Sequence, residues 1–282
     1  MSKSLNVYHS SATQIAKQLP ILAYHKIDTV RELGVNCISP KTFERQIRFL
    51  AECGYQSISP EFIVAEVHND VKLPEKSILI TFDDGYENFY NYAYPIMKKY
   101  GYTGIVFLLA GYTNGHISST PTMNFWDVKL GWRRFEHLNL SQIQDLSQEG
   151  FFLGSHSVNH LFLTHQDDST AKFEIRNSKS ILETLLRKPI HFFAYPYGDY
   201  DARTARLVQE SGYTAAFSLN PGNIVKADNL YFLPRIAIYN CDTMWSFKAK
   251  LGLMGNFLFH FERQKNLIIN KCAYVRSLRI RK

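Results

Sequence analysis

The chain has 282 residues, of which 45% are apolar, enough for one large α/β domain with a sizeable core. Its four cysteines, Cys37, Cys53, Cys241 and Cys272, are scattered with no CxxC pair, which argues against a disulfide framework or a thiolate zinc site and fits a reducing compartment. The net charge of +7 is lodged at one end: from Lys248 to Lys282 nine Lys or Arg face one acid, Glu262, while the rest of the chain carries 23 basic and 24 acidic residues.

The first 18 residues hold no apolar run after their lysine, so neither a secretory signal nor a spanning helix is expected there, and the expected location is cytoplasmic. From residue 20 onward short β-rich runs alternate with segments of helical period. PILAYHKI (20–27) reads as a strand, and the stretch from Pro40 to Cys53 as a helix headed by SPKTFERQ. YQSIS (55–59), ILITF (78–82), GIVFLL (104–109), FFLGS (151–155), HFFAY (191–195), AAFSL (215–219) and YFLPRIAI (231–238) read as further strands. Between them, helices are expected over 60–68, 88–100, 141–149, 169–187 and 201–211, several ending at a glycine. Strand then helix, repeated seven or eight times, implies a parallel sheet, either open or closed into a barrel. The barrel is favoured because polar residues follow directly after strands in ILITFDDG, FFLGSHSVNH and HFFAYPYG, positions that converge on one mouth of a βα barrel. Residues 111–139 lack a period and read as a long loop inserted over that mouth.

Asp83 and Asp84 are adjacent, so in a regular strand they would face opposite ways; both serve one site only where the strand ends and Gly85 lets the chain turn. The plainer reading is that one caps the following helix and the other is solvated. His156 and His160, four apart, lie on one side of a helical turn or tight loop and can share a cation. With one carboxylate they make the ligand set of a hydrolytic zinc site.

TFDDGY, HSVNH and FAYPYG, in that order and separation, resemble the first three motifs of the polysaccharide deacetylases, the NodB-homology or carbohydrate esterase family 4 enzymes. The resemblance covers about residues 19–240 and is strongest to the poly-N-acetylglucosamine deacetylase type, which has a similar YH near its start. It implies a distorted (β/α) barrel in one domain, with an N-terminal extension (1–18), a catalytic domain (19–245) and a basic, partly apolar tail (246–282). It makes Asp84, His156 and His160 the ligands of a divalent metal, most often Zn2+, and Asp83 the base that deprotonates an attacking water. It assigns the backbone N–H of Tyr197, between Pro196 and Gly198, to the developing oxyanion; YPYG also suits a simple β-turn. The implied reaction removes an N-acetyl group from an N-acetylhexosamine of a glycan or a lipid-linked glycan precursor. O-acetyl ester or cyclic-amide hydrolysis on the same site, and a glycan-binding protein with impaired catalysis, stay open.

Two positions depart from the family. The Arg that many members carry two residues before the motif proline is Ala194 here, and Arg235 in LPRIAI is the candidate replacement, the alternative being a surface cation at a strand edge. No late Leu-x-His motif is evident, and His260 is the only histidine after Phe193, so His25, ending the first strand, is the candidate general acid; otherwise it is a buried structural histidine. His9, His68, His116, His137, His165 and His191 read as structural or solvent-facing. Trp126 and Asp127 either contact a sugar face or pack on the barrel. In the tail, LGLMGNFLFHF (251–261) is too short to span a bilayer but, flanked by basic residues, reads as a segment for peripheral contact with anionic lipid, and nucleic acid is disfavoured.

Overall fold

Residues 19–30, 34–68, 72–113, 135–221, 230–253 and 261–269 are described by the structure, a computed structural model. Seven strands form a curled, wholly parallel sheet: β10 (Ile236–Ala237), β1 (Ile21–Tyr24), β5 (Ser77–Phe82), β6 (Ile105–Leu108), β7 (Phe152–Ser155), β8 (Phe192–Ala194) and β9 (Ala215–Phe217), in that spatial order. A short β4 (Gln56–Ser57) adds to the start of β5, and β2 (Lys26–Ile27) pairs separately with β3 (Cys37–Ile38).

Strand alternation divides the core into two. On β5, Ile78, Ile80 and Phe82 join an outer cluster, while Leu79 joins an inner one with Ile105, Phe107, Phe192, Ala194, Phe217 and Leu233. The outer cluster is covered by helices α1 (Pro40–Glu52), α4 (Leu140–Gln148), α5 (Asp168–Leu186) and α6 (Ala202–Glu210), which bring Phe43, Ile47, Ile143, Leu146, Ile175, Leu182 and Val208 to it, while α2 (Pro60–Val67) brings Ile63 to the inner one. At ~1.5–3 kcal/mol for each large side chain removed from water, these two clusters are the main source of stability. The helix starts are written locally. Ser39, Asn139, Asp167 and Asp201 each accept a backbone N–H of the first turn through their side chains, and Asn139 and Asp201 complete reciprocal capping boxes.

The predicted strand over 231–238 is corrected: only Ile236 and Ala237 are strand, and Leu230–Phe232 form a 3-10 turn. The reason is closure. Leu233 bonds across to β9, through Leu233 N–H to the Ala216 carbonyl at 2.9 Å and Ser218 N–H to the Leu233 carbonyl at 2.8 Å, whereas Ile236 and Ala237 pair with β1. One segment must therefore cross from one edge of the curled sheet to the other, and it cannot hold one regular register while doing so. Two smaller differences follow from local chemistry. The strand expected over 20–27 breaks at His25, and the helix expected over 88–100 begins as a wide turn, Phe89–Ala93, before α3 (Tyr94–Lys99), whose Pro95 lies in its first turn.

The main core continues past residue 245. Phe247 of α7 (Met244–Lys248) is fully buried and Ala249 and Leu251 are buried, so Leu251, at the start of the expected lipid-facing segment 251–261, is barrel packing; residues 254–260 lie outside the described ones. A last helix, α8, spans 261–269. Among the described residues no helix is long and apolar enough to cross a membrane. Of the long insertion, the ends are described and lie at the mouth: Leu138 N–H bonds the Gly85 carbonyl at 2.9 Å, and Gly111 N–H bonds the Val158 carbonyl at 3.1 Å.

Candidate metal centre and active site

The alternation that buries Leu79 inside the barrel also sends Thr81, and then Asp83, inward at the carboxyl end of β5. Asp83 N–H still bonds the Tyr24 carbonyl at 2.9 Å, continuing the ladder, and the chain turns only at Asp84 (φ 73°) and Gly85 (φ 64°). A side chain at Gly85 would begin 2.9 Å from Leu108, so the turn needs glycine for space as well as for conformation. This turn allows two consecutive aspartates to serve one mouth.

His156 follows β7, its N–H bonded to the Leu108 carbonyl at 2.8 Å. Its Nδ1 lies 2.8 Å from the Ala194 carbonyl; donating there leaves Nε2 as the lone-pair nitrogen, 3.5 Å from Asp84 Oδ1. His160 Nε2 is 3.4 Å from the same oxygen. Three ligands at zinc bond lengths in tetrahedral array would lie about 3.3 Å apart. Asp84, His156 and His160, each offering one atom within 4.8 Å of the others, thus fit a divalent cation. Their protonation fits as well. Desolvation lowers both imidazoles, that of His160 well below its ordinary value with His156 and His25 adding to the effect, so both are neutral and ligand-competent at neutral pH.

The HSVNH loop is held from outside the motif. Glu174, buried on the inner face of α5, accepts from Val158 N–H (3.1 Å), Asn159 N–H (2.8 Å) and Asn159 Nδ2 (2.7 Å). Ser157 Oγ accepts His160 N–H at 3.0 Å. These contacts keep Ser157 (φ 71°) and His160 (φ 57°) in left-handed conformations. Five non-glycine residues among the described ones have positive φ, and four of them, Asp84, Ser157, His160 and Tyr197, belong to this site. At ~1–3 kcal/mol each, such strain persists only where the surroundings over-determine it.

Arg235 lies on the crossing segment between Leu233 and Ile236 and points inward, fully buried. Its guanidinium grips Asp83 with two hydrogen bonds, NH1 to Oδ1 at 2.6 Å and NH2 to Oδ2 at 2.8 Å, and also donates to Thr81 Oγ1 (2.9 Å) and the Ser218 carbonyl (2.9 Å). It is therefore no surface cation. Ala194 also faces the barrel interior, with no side chain to pair with Asp83. Burial acts to raise the Asp83 carboxyl, but the Arg235 charge and the Arg235 hydrogen bonds hold it well below the usual carboxylate range.

His25 follows Tyr24, which pairs with Phe82, so the register sets it beside Asp83 at the mouth. Its Nδ1 is buried without a hydrogen-bond partner. Desolvation pushes the ring down to about 4; Asp83 opposes this, while Arg235, His156 and Lys26 add to it. At rest His25 is neutral. Tyr197 (φ 59°) stacks on Phe162 at 3.7 Å and meets the His160 ring edge-on at 4.3 Å, walling the metal ligands on one side.

Of the remaining histidines, His68, His165 and His191 are exposed. His137 is not: its Nδ1 lies 2.9 Å from the Asp84 carbonyl and its ring packs between Tyr86 and Tyr112, stapling the aspartate turn. Glu174 and His137 are the site residues that sequence reading passed over. Glu174 had a signal, a carboxylate on the helix stripe made by Ala171, Ile175, Ser178 and Leu182; His137, at the end of an aperiodic insertion, had none. His9, His116, Trp126, Asp127 and His260 lie outside the described residues.

Comparison with known proteins agrees with this geometry. Residues 70–216 match the family model described as polysaccharide deacetylase. The Bacillus subtilis protein YxkH, named for the same family, is 30% identical over 226 residues, covering 80% of this chain and 73% of its own. Poly-beta-1,6-N-acetyl-D-glucosamine N-deacetylase of Staphylococcus aureus is 25% identical over 218 residues, 74% of this chain and 70% of that one. Among solved structures, the Streptococcus pyogenes deacetylase PplD in complex with acetate superposes with a TM-score of 0.71 at 26% identity, covering 83% of this chain and 98% of that chain.

Proposed function

Since the chain belongs to the polysaccharide deacetylase family and is a metal-dependent carbohydrate deacetylase, we propose that it hydrolyses the N-acetyl group of an N-acetylhexosamine, in a glycan or a lipid-linked glycan precursor. The observation that carries this reading is the adjacency of a three-ligand Asp84–His156–His160 set to a buried, ionised Asp83 clamped by Arg235. The names of the relatives favour the amide over an ester, and the acetate held by PplD is the acid such a reaction releases.

Asp84, His156 and His160 would hold the cation, for which two imidazoles and a carboxylate suit Zn2+. Bound there, it would polarise the acetyl carbonyl and acidify a water molecule. Asp83 takes the proton of the attacking water. Each of its oxygens keeps a lone pair beyond the one given to Arg235, which fixes the carboxylate plane and keeps it ionised. The water oxygen joins the acetyl carbon, the backbone N–H of Tyr197 donates to the resulting oxyanion, and the C–N bond then breaks as a proton reaches nitrogen. His25 is the donor in this reading. Neutral at rest, it takes up the proton that Asp83 removed from water once the negative charge of the tetrahedral adduct raises its affinity for one, and passes it to the leaving nitrogen, which returns Asp83 to its ionised form.

The test is to incubate the purified chain with N-acetylhexosamine oligomers and lipid-linked acetamido sugars, measuring acetate, free amine and bound metal on the same samples. Acetate and amine should appear in equal amounts. Asp83→Asn should lower turnover about 10²- to 10⁴-fold with metal retained, whereas Asp84→Ala should lose both. Acetate without amine would make the enzyme an esterase; no product and no stoichiometric metal would leave a glycan-binding protein.

A further inference from the structure

Helix α8 is amphipathic in the opposite sense to an ordinary surface helix, whose apolar stripe faces the core. Its inward residues are largely polar. Glu262 meets Lys250 Nζ at 3.2 Å and Lys265 Nζ at 2.7 Å, and Asn266 bonds the Tyr239 hydroxyl and the Leu219 carbonyl, each at 2.8 Å. Only Ile269 adds apolar packing on that side, beside Leu219, Ala237 and Tyr239. The outward face carries Phe261, Leu267 and Ile268, exposed by 63%, 52% and 65%. Phe261 and Ile268 are seven apart and therefore lie on one stripe, with Gln264 and Leu267 completing the exposed face and Arg263 beside Leu267.

We infer that this outward face of α8 is a docking surface for an anionic lipid bilayer, with the apolar stripe entering the headgroup boundary and the surrounding cations meeting lipid phosphates. Charge complementarity selects the occupant. From Arg263 to Lys282 the sequence carries seven Lys or Arg and no acid; Lys265 is engaged inside with Lys250, Asp242 and Glu262, a network that balances its own charge, and six cations remain. A second copy seated on the same stripe would bring two such basic segments together, whereas an anionic surface gains with each of them. The surface shares only Phe261 with the segment 251–261 expected from sequence, whose Leu251 is core and whose residues 254–260 lie outside the described ones. It is also independent of the reaction at the barrel mouth, since none of its outward residues touches that site.

The experiment is sedimentation of the full chain with vesicles of phosphatidylcholine containing about a quarter phosphatidylglycerol, against vesicles of pure phosphatidylcholine. Binding should require the anionic lipid and fall as salt is raised. The double substitution Phe261→Gln with Ile268→Gln should weaken it at least about tenfold while deacetylase activity on a soluble oligosaccharide stays unchanged. Absence of binding to anionic vesicles, or equal binding by the double variant, would overturn the inference. So would a wild-type dimer in light scattering that the same double substitution converts to a monomer.

Discussion

Arg235 and Asp83 lie 152 positions apart in sequence and both are at most 1% exposed, so each supplies the opposite charge that lets the other stay ionised in the barrel interior. Arg235→Met should leave the carboxylate buried and uncompensated, at a cost of about 3–5 kcal/mol in denaturant unfolding. It should also change the pH dependence in a defined direction. With Arg235 present, the folded-state carboxyl sits below its ordinary value of 3.8, so its contribution to stability is present above that value and is lost only as pH falls through the lower folded one. Without Arg235, burial dominates and raises the carboxyl, so activity of the variant should disappear at a higher pH than that of the wild type. An acid limb unmoved in the variant would show that Asp83 owes its ionisation to something else.

At the scale of elements, the metal ligands are held by their neighbours more than by their own strands. The HSVNH loop follows β7, yet its left-handed turns depend on Glu174, which rises from α5 to accept three N–H groups. Glu174→Gln keeps the shape but sets a side-chain amide against those donors. Metal affinity measured by chelator competition should fall about 10- to 100-fold, with helix content by circular dichroism unchanged. A purely structural carboxylate would instead lower the melting temperature and leave affinity intact. The aspartate turn is similarly pinned, by His137 and Leu138 from the end of the insertion. The loop at the mouth is therefore tied at both ends to the two motifs that build the site.

Across the whole molecule, the segment 233–237 joins the edges of the sheet, and the chain beyond it is locked on by a buried ion network. Lys250 Nζ reaches Asp242 at 2.6 Å and the Ala237 carbonyl at 2.8 Å, and meets Glu262 of α8. Desolvation lowers Lys250, with Asp242 and Glu262 opposing that effect. Lys250→Met should leave Asp242 buried without its cation, while Glu262 keeps Lys265, and cost about 3–5 kcal/mol, with hydrogen exchange rising first in 261–269. The effect should extend to the mouth. Asn266 of α8 bonds the Leu219 carbonyl, and Leu219 packs so tightly on the Gly198 turn that a Cβ at Gly198 would lie 2.5 Å from its nitrogen. Full protection of 261–269 in the variant would show that α8 docks by other means.

The amino-acid sequence alone determined the order of strands and helices and a parallel sheet, because these are matters of local period and capping, while the barrel and the grouping of Asp83, Asp84, His156 and His160 came from short motifs that resemble a known family. The convergence of Arg235 on Asp83, the support of Glu174 and His137, and the reversal of α8 were decided only by the tertiary structure. Each depends on which groups far apart in sequence share one buried space. Burying a charge or an N–H is favourable only where such a partner is already in place.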